Sequence, residues 1–216
     1  METTDRTKIR RDDRASYEIG DIYGILDEGL VCHVGFEADG DPVVIPTIYG
    51  REHDTLFLHG SIATRMMRTL KPAPAISVCV SLVDGLVVAR SAFHHSLNFR
   101  SVVLFGRAEP LDDLDAKQRA LAVIVDHVIS GRSRECRPPT RTELRETTVL
   151  ALPISEASAK IRTGPPVDDT EDLDLPHWAG VVPLSTVAGP PVPAPDLAED
   201  INTPENILGA TLDRRI

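Results

Sequence analysis

Apolar positions along this chain change their period several times, and each change marks out an element. Ile19, Ile22, Tyr23 and Leu26 recur at helical spacing. Ser16 stands in front of them as a helix cap and Gly29 behind them as a stop, so one amphipathic helix is expected. Short β-type runs follow at residues 30–36 (LVCHVGF), 43–49 (VVIPTIY) and 55–59 (TLFLH), separated by the turns ADGDP and REHD. Short strands broken by Asp/Gly turns read as an antiparallel meander.

Residues 62–70 form a short helix that ends at Lys71-Pro72, because a residue before proline avoids the α region. Two longer β stretches follow, 75–90 and 99–110, the first interrupted at Asp84-Gly85. A long helical pattern over 111–129 stops before Gly131, a last helix covers 140–146, and a strand covers 148–154. Strands and helices do not alternate, which excludes a doubly wound sheet. Closure of the strands into a small antiparallel barrel would remove the exposed edges, so a mainly β barrel with attached helices is expected.

Composition changes at Thr163. Nine of the seventeen prolines lie from there onward, with ten acidic residues against two basic, a net charge of −8 out of −10. The expected organisation is a flexible segment at 1–15, the barrel at 16–162 and a Pro-rich acidic tail at 163–216. Trp178 and the run AGVVPL are apolar islands that would pack on the barrel or on a partner subunit. The body is close to neutral, with 21 basic and 23 acidic residues, a poor surface for nucleic acid. No apolar run approaches the roughly 20 residues of a membrane span. The charged start METTDRTKIRRDDR does not read as a secretory signal, and a cytoplasmic location is expected. Three dispersed cysteines offer neither a disulfide framework nor a metal knuckle.

Two stretches carry candidate chemistry. In His59-Gly60-Ser61-Ile62-Ala63-Thr64-Arg65-Met66-Met67-Arg68, a strand ends and hydroxyls and an arginine precede a helix. Such an arrangement can hold a phosphate, although it serves equally as an ordinary capped surface helix. In His94-His95-Ser96-Leu97-Asn98-Phe99-Arg100-Ser101, a polar turn feeds an apolar strand. Adjacent histidines on extended chain face opposite ways, so no metal site is expected there. A nucleophile elbow, a P-loop and a dinucleotide glycine fingerprint are all missing.

Taken in order, VVIPTIYG, TLFLHGSIATRMMR, HHSLNFRSVVLFGRAEP and AKIRTGPPVDD…HWAGVVPL resemble the flavin-nucleotide-binding branch of the pyridoxamine 5'-phosphate oxidase-like superfamily, which includes nitroimidazole-resistance proteins. The resemblance spans residues 16–184. It implies a six-stranded antiparallel split β-barrel with flanking helices, a homodimer with flavin at the subunit interface, and a small-molecule substrate. By the same resemblance Ser61, Thr64 and Arg65 form the flavin phosphate site, and Pro46, Thr47, Ile48 and Tyr49 line the isoalloxazine ring. Arg100 and Ser101 approach from the next strand pair, and Lys160, Arg162 and Trp178 match an element that closes over the cofactor.

Met66 stands where many relatives carry lysine, a change that could admit FAD in place of FMN. The ending TLDRRI lacks the arginine-rich signature of vitamin B6 phosphate oxidases, which argues against that substrate. The resemblance implies an FMN- or FAD-dependent oxidoreductase with no catalytic residue assigned. The alternatives are a flavin storage or delivery protein and a haem-binding or haem-degrading protein. Haem would draw on His33, His53, His59, His94 or His95, and deazaflavin ranks with haem behind the flavins.

Overall fold

The computed structural model describes residue 1 and residues 3–209. In chain order the elements are β1 (Ala15–Ser16), α1 (Ile19–Glu28), β2 (Val31–Ala38), β3 (Asp41–Ile48), β4 (Gly50–Glu52), β5 (Thr55–Ser61), α2 (Arg65–Leu70), β6 (Ala75–Val88), β7 (Ser96–Arg107), β8 (Glu109–Pro110), α3 (Leu114–Val128), α4 (Arg141–Glu146), β9 (Thr147–Pro153), β10 (Glu156–Arg162), β11 (Gly180–Pro183) and α5 (Glu205–Gly209). They divide into two compact units. The first comprises Met1–Gly29, Cys79–Leu104 and Glu156–Ser185; the second comprises Leu30–Val78, Phe105–Ser155 and Thr186–Ile216.

Within the first unit the strand order is β1-β10-β7-β6, with β11 also on β6. Ala15 and Ser16 pair with Lys160 and Ala159, and β11 runs antiparallel along Gly85–Val88. In the second unit β6 leads on to β2 and β3, and a separate sheet has the order β4-β5-β9-β8. Neither sheet closes on itself, as a split barrel requires.

The β2–β3 hairpin follows directly from local chemistry. Asp39 and Gly40 both take positive φ, 57° and 88°, the requirement of a two-residue turn that matches strand twist. Its register runs from Val31 opposite Ile48 to Ala38 opposite Asp41. Cys32, Val34, Phe36 and Ala38 then fall on one face and are buried, the period-2 outcome of the pattern. Buried leucines pair across β5 and β9, Leu56 with Leu152 and Leu58 with Leu150. Helix α4 begins with a reciprocal cap between Thr140 and Glu143, and Asp113 caps α3 through the Ala116 N–H at 2.8 Å.

Three expectations need correction, and one strand was missed. Ser16 does not cap α1: it lies in β1, and its hydroxyl bonds the Asp21 carboxylate at 2.5 Å, while Glu18 takes the cap position. Strand β6 is not interrupted at Asp84-Gly85, because pairing with β11 keeps those residues extended. The supposed turn at residues 51–54 is partly strand β4, and only His53-Asp54 turn, with His53 at φ 52°. Strand β10 was not foreseen. Its Ala157-Ser158-Ala159 centre is small and weak in strand propensity, yet all three residues are buried between neighbours.

Candidate functional site

The expected cofactor residues fall in both units, and each group has its own character. In the second unit, Pro46 and Ile48 lie exposed on β3, and Thr47 turns its hydroxyl to the carbonyl of Ile48 at 3.3 Å. Tyr49 is fully buried, its ring 4.6 Å from that of His127 on α3. Its side chain therefore belongs to the core, leaving only backbone groups to face a ligand. Thr64 is occupied in both directions: it donates to the carbonyl of Ser61 at 3.0 Å and accepts from the Met67 N–H at 3.3 Å. Ser61 accepts from the Ala63 N–H at 3.3 Å. Helix α2 has only six residues, so its dipole adds little to anion binding. Arg65 is exposed at its start and makes no ion pair among the described residues. Met66 points inward and is buried with Met67 and Leu70.

Beside Ser61 lies a cleft of about 320 Å³, lined by His59, Gly60, Ser61, Glu143, Glu146 and Thr147. The Arg137 guanidinium and the Thr140 N–H hold the Glu143 carboxyl down to about 2, so this wall stays anionic. Burial lowers the pKa of His59, and its buried Nδ1 has no hydrogen-bond partner. Two carboxylates repel a phosphate, so this side of Ser61 suits a neutral or cationic group. The glutamates were invisible in the sequence as site residues, because they come from a helix some eighty positions downstream.

In the first unit, Arg100 is neutralised from within the protein. Its Nε and Nη2 donate to Asp84 at 3.0 and 2.7 Å, and its Nη1 and Nη2 donate to Glu28 at 2.5 and 2.9 Å. The Glu28 and Asp84 carboxylates accordingly raise its pKa well above the usual arginine range. Ser101 donates to the carbonyl of Lys160 at 3.4 Å, and the Lys160 ammonium sits 5.9 Å from the centre of the Phe99 ring. Arg162 is only 7% exposed and has no carboxylate partner among the described residues; it donates to Asn98, and to the carbonyls of Gly164 at 3.4 Å and Pro165 at 3.2 Å. Burial, with help from the Arg14 charge, lowers its pKa. Trp178 is 65% exposed, with its ring edge over the Cα of Gly180, where a Cβ would lie 2.9 Å from the indole.

The first residues after Arg162 are anchored to the 90–98 turn. Asn98 donates to the Gly164 carbonyl at 3.1 Å, the Arg90 N–H and guanidinium reach Asp168 at 2.9 and 2.8 Å, and His94 meets Asp169 at 3.1 Å. Burial raises the Asp168 pKa, but the hydrogen bonds from Arg90 outweigh it and the net shift is downward. A lowered carboxyl pKa stabilises the fold above the ordinary aspartate value and loses that contribution as pH falls through the folded value. The protection factor of the Arg90 amide should therefore fall over the pH range below the ordinary aspartate value of about 3.9. In D168N that amide should exchange fast throughout the range, and a wild-type-like pH profile in the variant would refute the assignment.

The family model described as pyridoxamine 5'-phosphate oxidase matches residues 18–161. The chain belongs to the pyridoxamine 5'-phosphate oxidase family. Its split-barrel fold and flavin-branch sequence pattern agree with that membership. Among solved structures, the flavocytochrome Anf3 from Azotobacter vinelandii is 44% identical, with 95% of this chain and 96% of that one covered at a TM-score of 0.90. The FAD and haem binding protein from Mycobacterium smegmatis is 39% identical, with coverage of 93% and 98% and a TM-score of 0.89. A candidate 5-nitroimidazole antibiotic resistance protein from Bacteroides thetaiotaomicron is 23% identical over 68% of this chain and 86% of its own, with a TM-score of 0.58, and shares the fold. No curated protein matches. Among the described residues no helix is long and apolar enough to cross a membrane, and no cluster of three or more His, Cys, Asp or Glu could hold a metal ion. The TLDRRI ending used above against vitamin B6 chemistry lies outside the described residues.

Proposed function

We propose that this family member is a flavocytochrome-like oxidoreductase that binds FAD and haem and passes electrons between them. The observation that carries this reading is the extent of the likeness: two relatives at 44% and 39% identity, each matched over nearly its whole length, are described as a flavocytochrome and as an FAD and haem binding protein. A bound flavin would supply hydride and one-electron chemistry, and the haem would exchange single electrons. Arg65, an exposed cation without an ion pair among the described residues, is the residue suited to a flavin phosphate. FAD is favoured over FMN because Met66 is buried where a second phosphate-binding lysine would otherwise stand. Lys160, Arg162 and Trp178 are proposed as further cofactor residues by the family resemblance alone.

The homodimer belongs to the same reading. Val31 opposite Ile48, His33 opposite Pro46 and Gly35 opposite Val44 form a stripe on the β2–β3 hairpin, with Val44 65% exposed. Bare apolar surface of this kind supports burial against a second copy. The test is the absorption spectrum of protein purified from a haem-sufficient host, with mass spectrometry of the released cofactors and light scattering on the same sample. Flavin bands with a Soret band, release of FAD, and a mass near twice 23.5 kDa are expected. Colourless protein that takes up neither flavin nor haemin would overturn the cofactor reading, and a monomeric mass at full loading would overturn the dimer.

A further inference from the structure

Resting on the haem part of that reading, we infer that His95 is the axial ligand to the haem iron, with its Nε2 as the donor atom. A histidine that binds a metal through one ring nitrogen normally carries its proton on the other and donates it to a fixed acceptor. His95 shows this arrangement. Its Nδ1 lies 2.9 Å from the carbonyl of Ser91, and a carbonyl can only accept, so Nδ1 carries the hydrogen. In the neutral imidazole Nε2 then keeps its lone pair, and the residue is exposed, so that lone pair is open to a ligand.

The surroundings suit a flat apolar macrocycle. His95 (φ −59°, ψ 141°) leads directly into β7, and Leu97, two positions on, is likewise exposed. Phe93, in the same turn, is 88% exposed, an unusual position for a large aromatic side chain. The turn is held in place from behind by the Arg90–Asp168 pair and by the Asn98–Gly164 hydrogen bond.

The other histidines considered for this role lack the arrangement. The Nε2 of His94 is engaged by Asp169 at 3.1 Å. The buried Nδ1 of His59 has no acceptor, so a tautomer with Nε2 bare would leave a buried N–H unpaired. Among the described residues His33 and His53 show no ring hydrogen bond that would set a tautomer; His53 sits at a positive-φ turn.

The experiment compares wild type, H95A, H95Q, H94A and H59A from a haem-sufficient host. Haem and flavin per chain are measured separately, together with the Soret position. H95Q keeps a side-chain donor for the Ser91 carbonyl but cannot ligate as imidazole does, so it separates ligation from loop integrity. Expected are at least a tenfold loss of haem, or a displaced Soret band, in H95A and H95Q, with flavin content unchanged. Added imidazole should return the H95A Soret band toward wild type, and H94A and H59A should retain the wild-type spectrum. Unchanged haem content and Soret position in H95A and H95Q would overturn the assignment while leaving haem binding intact. Wild type that holds flavin but no haem after reconstitution would overturn haem binding itself, and the ligand assignment with it.

Discussion

Gly50→Ala should destabilise the protein by about 3 kcal/mol, at the upper end of the usual overpacking cost. A Cβ at this position would lie 2.8 Å from the Cα of Ile124, 2.9 Å from its nitrogen and 3.0 Å from the carbonyl carbon of Val123. All three atoms are backbone of α3, and no rotamer change can move them. The helix cannot easily retreat either, since Lys117 ties it to the carbonyls of Leu144 at 3.3 Å and Thr147 at 2.9 Å. The Tyr49–His127 contact lies on the same helix and should loosen with it. Gly106→Ala provides the comparison: its Cβ would meet Leu152 Cδ1 at 2.7 Å, the end of a flexible side chain, so a smaller loss of about 1 kcal/mol is expected. Urea unfolding of both variants checks the pair. A Gly50→Ala midpoint within error of wild type, or a larger loss at Gly106, would contradict this packing.

Arg100→Ala should lower stability by about 2 kcal/mol, below the range for fully buried pairs because this cluster is partly solvated. Removing the guanidinium leaves Glu28, at the end of α1, and Asp84, on β6, without the cation that each now shares. Arg100→Lys should recover less than half of the loss, since an ammonium cannot reproduce two forked pairs. The informative comparison is with cofactor content. An internal role predicts reduced stability with flavin occupancy kept, whereas flavin loss at unchanged stability would place Arg100 on the cofactor. High salt should narrow the difference between wild type and variant only slightly, because the side chains are about 27–34% exposed.

Much of the fold was legible in local chemistry. Asp39-Gly40 announced the hairpin, Thr140 and Glu143 announced α4, and the 3.6-residue pattern before Gly131 announced α3. These signals work because they act over four residues or fewer, where sequence distance and spatial distance agree. The order of four motifs also identified the family, and with it the flavin branch.

The site was less legible because its chemistry depends on partners distant in sequence. Arg100 reads as a free cation until Glu28 and Asp84, 72 and 16 positions away, are brought onto it. Tyr49 reads as a residue lining the flavin ring until α3 covers its side chain, and Ser61 gains an anionic wall only when α4 folds beside it. The paired histidines looked equivalent along the chain, but folding bonds the Nε2 of His94 to Asp169 and the Nδ1 of His95 to the Ser91 carbonyl. Pattern and turn chemistry by themselves determined the β2–β3 hairpin, α3 and α4, whereas β10 and the unbroken β6 depended on neighbouring strands. Tertiary packing alone decided which charges are neutralised and which ring nitrogens stay open, because ionisation, tautomer and access follow from neighbours that the linear order does not name.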